Sequence, residues 1–271
     1  MATLLTNIVE SDMSAKRLIF TITTGRSGTG YLAEVLRNIP DVQSYHEPEP
    51  RFSDVMRSVQ ADKTVAVKFW MNKKLPEIAS KKAPIYIETS HLFCKGFIEP
   101  LLDMGIVPDL IILSRPERDV AKSMLRLDTI PGRTEKGLRY YLSPEDPGVL
   151  PLPHWQSLHD YQLCYWYCLE IKRRSIYYEH MLREKNAHIA KISLDDIRSL
   201  RGLSRMVRQL NLPRPGPLAW MRYFLNRSKK INVKTTDNDL SHMSVNFHNL
   251  EKEISDVISK LNVPEFAGIR A

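Results

Sequence analysis

The groups most able to do chemistry follow a short apolar run, at Thr24-Gly25-Arg26-Ser27-Gly28-Thr29-Gly30-Tyr31-Leu32. A strand, a glycine-rich turn and a helix in that order make an anion site. Glycines let backbone N–H groups approach an oxyanion, and the helix start adds a positive end. Gly25 and Gly30 have the G-x-x-x-x-G spacing of the phosphate loop of nucleoside triphosphatases. That loop continues with Lys and then Ser or Thr, which serve phosphate and metal. Here Tyr31 and Leu32 stand in those places, and the positive charge lies inside the loop at Arg26. A second cation and hydroxyl follow the run DLIILS: Arg115, then Ser123 eight residues on. Pro116, directly after Arg115, is placed for the first turn of a helix. Strand ends of one parallel sheet point the same way, so Arg115 shares a crevice with the Arg26 loop. One arginine and one hydroxyl there suit a second phosphate.

The elements that must position these groups read as alternating strands and helices. Residues 17–23 (RLIFTIT), 64–69 (TVAVKF), 85–87, 109–113 (DLIIL) and 188–192 (HIAKI) are short, β-branched apolar runs and read as buried strands. A further short strand begins near Val42. Helical patterns fall at 31–37, 52–59, 97–104 and 117–125. The alternation predicts an α/β fold with a mainly parallel central sheet flanked by helices on both faces. Residues 155–184 form a long helical pattern, with Leu158, Tyr161, Tyr165, Cys168 and Leu169 at three-and-four spacing. Before it, 129–153 is rich in proline and glycine and reads as a long loop, of the length that serves as a lid. Arg198, Arg201, Arg205 and Arg208 share one helical face, and Leu200, Leu203, Val207 and Leu210 the other. The expected organisation is one domain over 1–271, with a flexible start at 1–15 and an irregular basic segment at 212–249.

Composition narrows the partners. The 271 residues carry 39 Lys+Arg against 31 Asp+Glu, a net charge of +8. Ten basic residues lie between Ile197 and Thr236 with no Asp or Glu among them, so the rest of the chain sums to −2. This is a near-neutral protein with one basic segment, and nucleic acid is not an expected general partner. The hydrophobic fraction of 43% is ordinary for a globular chain. No apolar run is long enough for a membrane span, and the first residues lack the basic region of a signal peptide. Three cysteines give no disulfide framework, which points to a reducing, cytoplasmic setting. His159, Cys164 and Cys168 do not fall on one helical face, so no metal site is expected.

The loop Arg26-Ser27-Gly28-Thr29 together with Arg115 and Ser123 resembles the sulfotransferase family, which uses 3′-phosphoadenosine 5′-phosphosulfate (PAPS). It is similar to the branch with Arg in the loop, which includes protein-tyrosine, carbohydrate and many bacterial sulfotransferases. The resemblance covers about the first 200 residues in element order. It implies a three-layer fold like that of P-loop proteins, and a co-substrate, PAPS, without a metal. It implies that Arg26, Ser27, Gly28, Thr29, Gly30 and Tyr31 cradle the 5′-phosphosulfate and that Arg115 and Ser123 hold the 3′-phosphate. A base must take the proton of the acceptor hydroxyl. In similar sulfotransferases a glutamate about twenty residues past the loop arginine does so, and Glu47 stands 21 residues past Arg26. His46, Glu49 and His91 are rivals. Lys68, at the end of TVAVKF, is a candidate second cation at the transferring group, and Glu88 and His91 candidates for the acceptor pocket. Family members often carry Tyr-Glu-Asp-Leu after the late strand, where Leu194-Asp195-Asp196-Ile197 stands here. Lys230, within 227–232, is the candidate to close over the 3′-phosphate, and the 129–153 loop with Tyr140 and Tyr141 the candidate acceptor lid.

Two other classes remain open at this point. A nucleotide-dependent kinase with an aberrant phosphate loop would need magnesium. An anion- or RNA-binding module would use the basic segment, with Trp220, Tyr223 and Phe224 as its stacking aromatics.

Overall fold

The computed structural model describes residues 16–226 and 245–266, with the side chains of Arg222, Phe224 and Asn226 excepted. Five strands form one sheet: β1 (Arg17–Ile22), β2 (Val42–Tyr45), β3 (Ile85–Glu88), β4 (Asp109–Ser114) and β5 (Ile189–Ser193). The strand order is β2-β3-β1-β4-β5 and every pairing is parallel. β1 is central, with Ile19 beside both Ile87 and Asp109 in register. Its alternation sends Leu18, Phe20 and Ile22 to one face and Ile19 to the other. Both faces are covered, so the inner strands β1, β3 and β4 are mostly apolar, as a buried parallel sheet requires, while the edge strands β2 and β5 carry Gln43 and Lys191.

On one face lie α1 (Thr29–Leu36), α9 (Leu194–Arg198) and α10 (Leu200–Gln209). Leu32, Leu36, Leu203, Met206, Val207 and Leu210 interlock there with Ile87, Ile111 and Ala190. Each such side chain, fully buried, contributes roughly 1.5–3 kcal/mol. Leu200, expected inward, is 40% exposed. Of the four arginines on the opposite stripe, Arg205 pairs with Asp196 at 2.7 Å.

The other face carries α2 (Met56–Ala61), α3 (Thr64–Phe69), α4 (Leu75–Ala79), α5 (Ile98–Asp103) and α6 (Glu117–Arg126). It also carries α7 (Glu135–Tyr140), the long α8 (Asp160–Glu184) and α12 (Phe247–Ser259); α11 (Pro217–Asn226) follows α10. An aromatic cluster of Phe20, Phe52, Trp70, Phe93 and Phe97 fills its centre, with Phe20 and Phe93 stacked at 4.3 Å. Three layers result.

Two expectations fail here. TVAVKF is not a strand but helix α3. Ala66, Phe69 and Trp70 are buried at three-and-four spacing, and Asp62 accepts from the Thr64 N–H at 2.9 Å to start the turn. Trp70–Lys74 then continues as a π-type turn into α4. A six-residue apolar run fits either period, and the inward row beyond it decided the helix. Second, 129–153, read as loop throughout, is interrupted by a helix, α7, capped by Thr134, and it docks. Leu150 N–H donates to Glu170 at 3.0 Å, the Trp166 indole donates to the Leu150 carbonyl at 3.0 Å, and Arg57 pairs with Asp146 at 2.5 Å.

Candidate active site

The site is built at the carboxyl ends of β1, β2, β3 and β4. After β1 the chain turns through Gly25 (φ 80°), Arg26 (φ 55°) and Gly28 (φ 94°) into α1. Left-handed backbone is easy for the glycines and strained for Arg26, and such strain gathers at functional turns. Ser27 is fully buried and donates to the Gly25 carbonyl at 2.9 Å, and its oxygen lies 2.9 Å from the Thr24 hydroxyl. Tyr167 of α8 braces the loop from below, donating to the Thr24 carbonyl at 3.1 Å. Gly28 enters α1 from left-handed backbone and makes no side-chain hydrogen bond to it.

Arg115 and Ser123 converge on this loop. Arg115 Nη1 donates to the Arg26 carbonyl at 2.8 Å, and Arg26 Nε reaches the Ser123 hydroxyl at 3.3 Å. Between the ends of β1 and β4 lies a crevice of about 120 Å³, lined by Thr23, Thr24, Ser114, Arg115 and Lys172. The Thr23 hydroxyl is buried there with no hydrogen-bond partner among the described residues. A larger cavity of about 460 Å³, beside Gly96, Glu99 and Arg174, includes none of these groups.

Glu47 follows β2 in a left-handed turn (φ 46°). Its Oε1 lies 3.6 Å from Nε2 of His91. His91 packs on the loop itself: a Cβ at Gly25 would meet its Cγ at 3.2 Å. His46 has its Nδ1 on the Thr89 carbonyl at 2.9 Å. Glu49 turns outward and pairs with Arg51 at 3.0 Å, so it is not at the site. Glu88 does not line an open pocket. It is buried against Lys74 at 2.7 Å, with the Tyr86 hydroxyl donating at 2.8 Å. Burial pushes the Glu88 carboxyl up, and Lys74 opposes it. Lys74 also donates to the Pro50 carbonyl at 2.9 Å and to that of Pro48 at 3.3 Å, anchoring the turn that carries Glu47. Lys68 does not reach the loop from a strand end, because its strand does not exist. It is exposed on α3, near Asp62. Lys230 and the rest of 227–232 lie outside the described residues, as does 1–15.

The chain has a partner for His91 that its spacing did not advertise. Lys95 is fully buried, with Nζ 3.1 Å from His91 Nδ1 and 2.5 Å from the Tyr140 carbonyl. The rings of Tyr141 and Tyr167 stand 5.1 and 5.0 Å from it. Burial pushes the Lys95 ammonium down to about 7, with Cys94 and Glu47 pulling the other way. Burial, and then the charges of Lys95, His46 and Arg26, hold the His91 imidazole well below the usual histidine range. Tyr140 and Tyr141, expected in the acceptor lid, thus stand beside His91, with Tyr141 5.5 Å from its ring.

No protein-family profile matches the chain, and no curated protein does. Among solved structures it is similar to a sulfotransferase domain from the curacin biosynthetic pathway. The two are 14% identical over 90% of this chain and 98% of that one, with a TM-score of 0.52. The chain has a sulfotransferase-like fold.

Within that fold no helix among the described residues is long and apolar enough to cross a membrane. No group of three His, Cys, Asp or Glu is placed to hold a metal ion among them. His159 caps α8, accepting from the Tyr161 N–H at 3.0 Å. Cys164 and Cys168 are buried, and burial raises both thiols well above their ordinary range. Tyr31 and Leu32, where a triphosphatase has Lys and Ser/Thr, are buried in the face beneath α1.

Proposed function

We propose that the protein is a sulfotransferase, one domain over 1–271, moving a sulfuryl group from PAPS to the hydroxyl of an acceptor. The observation that carries the reading is the meeting of two anion-binding segments 89 residues apart, Arg115 on Arg26 and Arg26 on Ser123. The groups present fit a nucleotide with phosphates at both ends. The turn into α1 and Arg26 suit the 5′ end, and Arg115, Ser123 and the unpartnered Thr23 hydroxyl suit the 3′ end. PAPS, when bound, supplies an activated sulfuryl group with a phosphate leaving group.

The chain's own residues then do three things. Ser27 to Tyr31 orient the 5′-phosphate. Arg26 places positive charge where negative charge develops on the bridging oxygen, the kind of preorganised stabilisation that dominates such steps. Glu47 takes the acceptor proton as the hydroxyl oxygen attacks sulfur in line. The kinase reading loses support, since the two positions it needs are apolar or aromatic and buried.

Thermal melting with adenosine 3′,5′-bisphosphate tests this. A ligand at 100 times its dissociation constant adds about 2.7 kcal/mol of stability. Arg115→Ala, losing a charge-assisted bond, is expected to weaken that affinity roughly 10- to 100-fold. No stabilisation at saturating nucleotide ends the sulfotransferase reading.

A further inference from the structure

Lys95 is a buried titratable group that the reaction above does not use. Its place is held from several sides. Its N–H donates to the Leu92 carbonyl at 2.9 Å, and its own carbonyl accepts from Gln60 at 2.8 Å. The neighbouring Cys94 carbonyl accepts from Arg174 at 2.8 Å. Its Nζ therefore meets two fixed groups, the Tyr140 carbonyl and His91 Nδ1. A carbonyl only accepts, so one N–H goes to Tyr140. A lysine has at least two N–H bonds whether charged or neutral, and as an ammonium it has no lone pair to accept with. A second N–H is thus available to Nδ1 in both charge states. The other end of the ring agrees. Nε2 faces the Glu47 carboxylate, which only accepts and would repel a bare nitrogen.

We infer that Lys95 is a positioning residue that fixes His91 as the tautomer protonated on Nε2, so that His91 donates to Glu47 and is not itself the base. The inference rests on Glu47 being the base of the proposed reaction. The 3.6 Å gap suits it, because catalytic hydrogen bonds run long without substrate and tighten in the complex. The depressed imidazole agrees with a ring that stays neutral. His91 keeps its Nε2 proton throughout, and the acceptor proton goes to the free carboxylate oxygen of Glu47. Because Lys95 also holds the Tyr140 carbonyl, the same side chain ties the 129–153 wall to the base.

Nitrogen NMR of the ¹⁵N-labelled full chain near neutral pH reads the two ring nitrogens of His91 separately, and His91→Gln assigns the signal. The expected result is a proton on Nε2 and a bare Nδ1. In Lys95→Met the His91 signals are expected to move toward the tautomer-averaged pattern of free imidazole. Lys95→Gln keeps an N–H donor and is expected to restore part of the wild-type pattern. A wild-type ring protonated on Nδ1, or on both nitrogens, overturns the inference, and so does an unchanged pattern in Lys95→Met. The wild-type spectrum alone decides even where a variant does not fold. Neither nucleotide nor acceptor is needed, so this result and that of the melting experiment fail separately.

Discussion

Glu47 is carried on left-handed backbone at φ 46°, a conformation rare for a residue with a long side chain. The turn is held by Lys74 beneath it, and the half-buried carboxylate reaches toward His91. Glu47→Gln is nearly isosteric and keeps one oxygen for His91, but it cannot take a proton. The expected outcome is a loss of transfer on the order of 10²–10⁴-fold in kcat, the contribution of a general base, with nucleotide binding kept. Transfer near the wild-type rate would move the base elsewhere. That Arg26, Arg115 and Ser123 meet follows a loop and an R-x7-S spacing that are visible in one dimension. Lys95 and Lys74 were not visible there. In HLFCKGF a lysine is only a break in an apolar run, and that it is fully buried is a fact of packing from Tyr141, Tyr167 and Gln60.

At the scale of elements, the loop entering α1 depends on Gly28. Its φ of 94° disfavours any side chain, and a Cβ there would lie 2.5 Å from Leu194 Cδ1 at the start of α9. The leucine tip can shift, so the backbone sets most of the cost. Gly28→Ala is expected to lower stability by about 1–3 kcal/mol, read as a lower denaturant midpoint. An unchanged midpoint would show that the turn tolerates the substitution. The same contact explains how Leu194-Asp195-Asp196-Ile197 serves here. Leu194 seats the loop glycine, and Asp196 forms a capping box with Ser193 and holds Arg205. Strands β1, β3 and β4 were readable because they lie inside a parallel sheet buried on both faces, which favours apolar runs, while β2 (VQSY) at the edge is only partly buried. Helix α3 was not readable, because Thr, Val and Val carry strand propensity while its burial follows Ala66, Phe69 and Trp70. Tertiary contact overrode propensity there.

At the scale of the molecule, the chain's later part is fastened back to the helix that carries Ser123. Glu251 on α12 accepts from the Tyr161 hydroxyl at 2.5 Å and pairs with Arg118 on α6 at 2.5 Å, on the same helix as Ser123. Burial works to raise the Glu251 carboxyl, but the hydrogen bonds from Arg118 and Tyr161 outweigh it and hold it below its ordinary 4.5. A depressed carboxylate stabilises the fold above its unfolded pKa, and that stability is lost as pH falls through the folded value. Glu251→Gln is thus expected to be less stable than wild type at neutral pH. The gap should close progressively below about pH 4.5 in denaturation curves taken at stepped pH. A gap of constant size into acid would show that the ion pair contributes nothing. The sequence by itself determined the strand–loop–helix turn, most of the strand runs, the Arg115–Ser123 spacing and the placing of Glu47 past β2. These are short-range patterns, set by backbone freedom and by period. Only the tertiary structure decided that Lys68 stands in solvent, that 129–153 is a docked wall, and that Lys95 and His91 stand behind Glu47. Each of those turns on which distant segments exclude water from a side chain, and no local spacing records that.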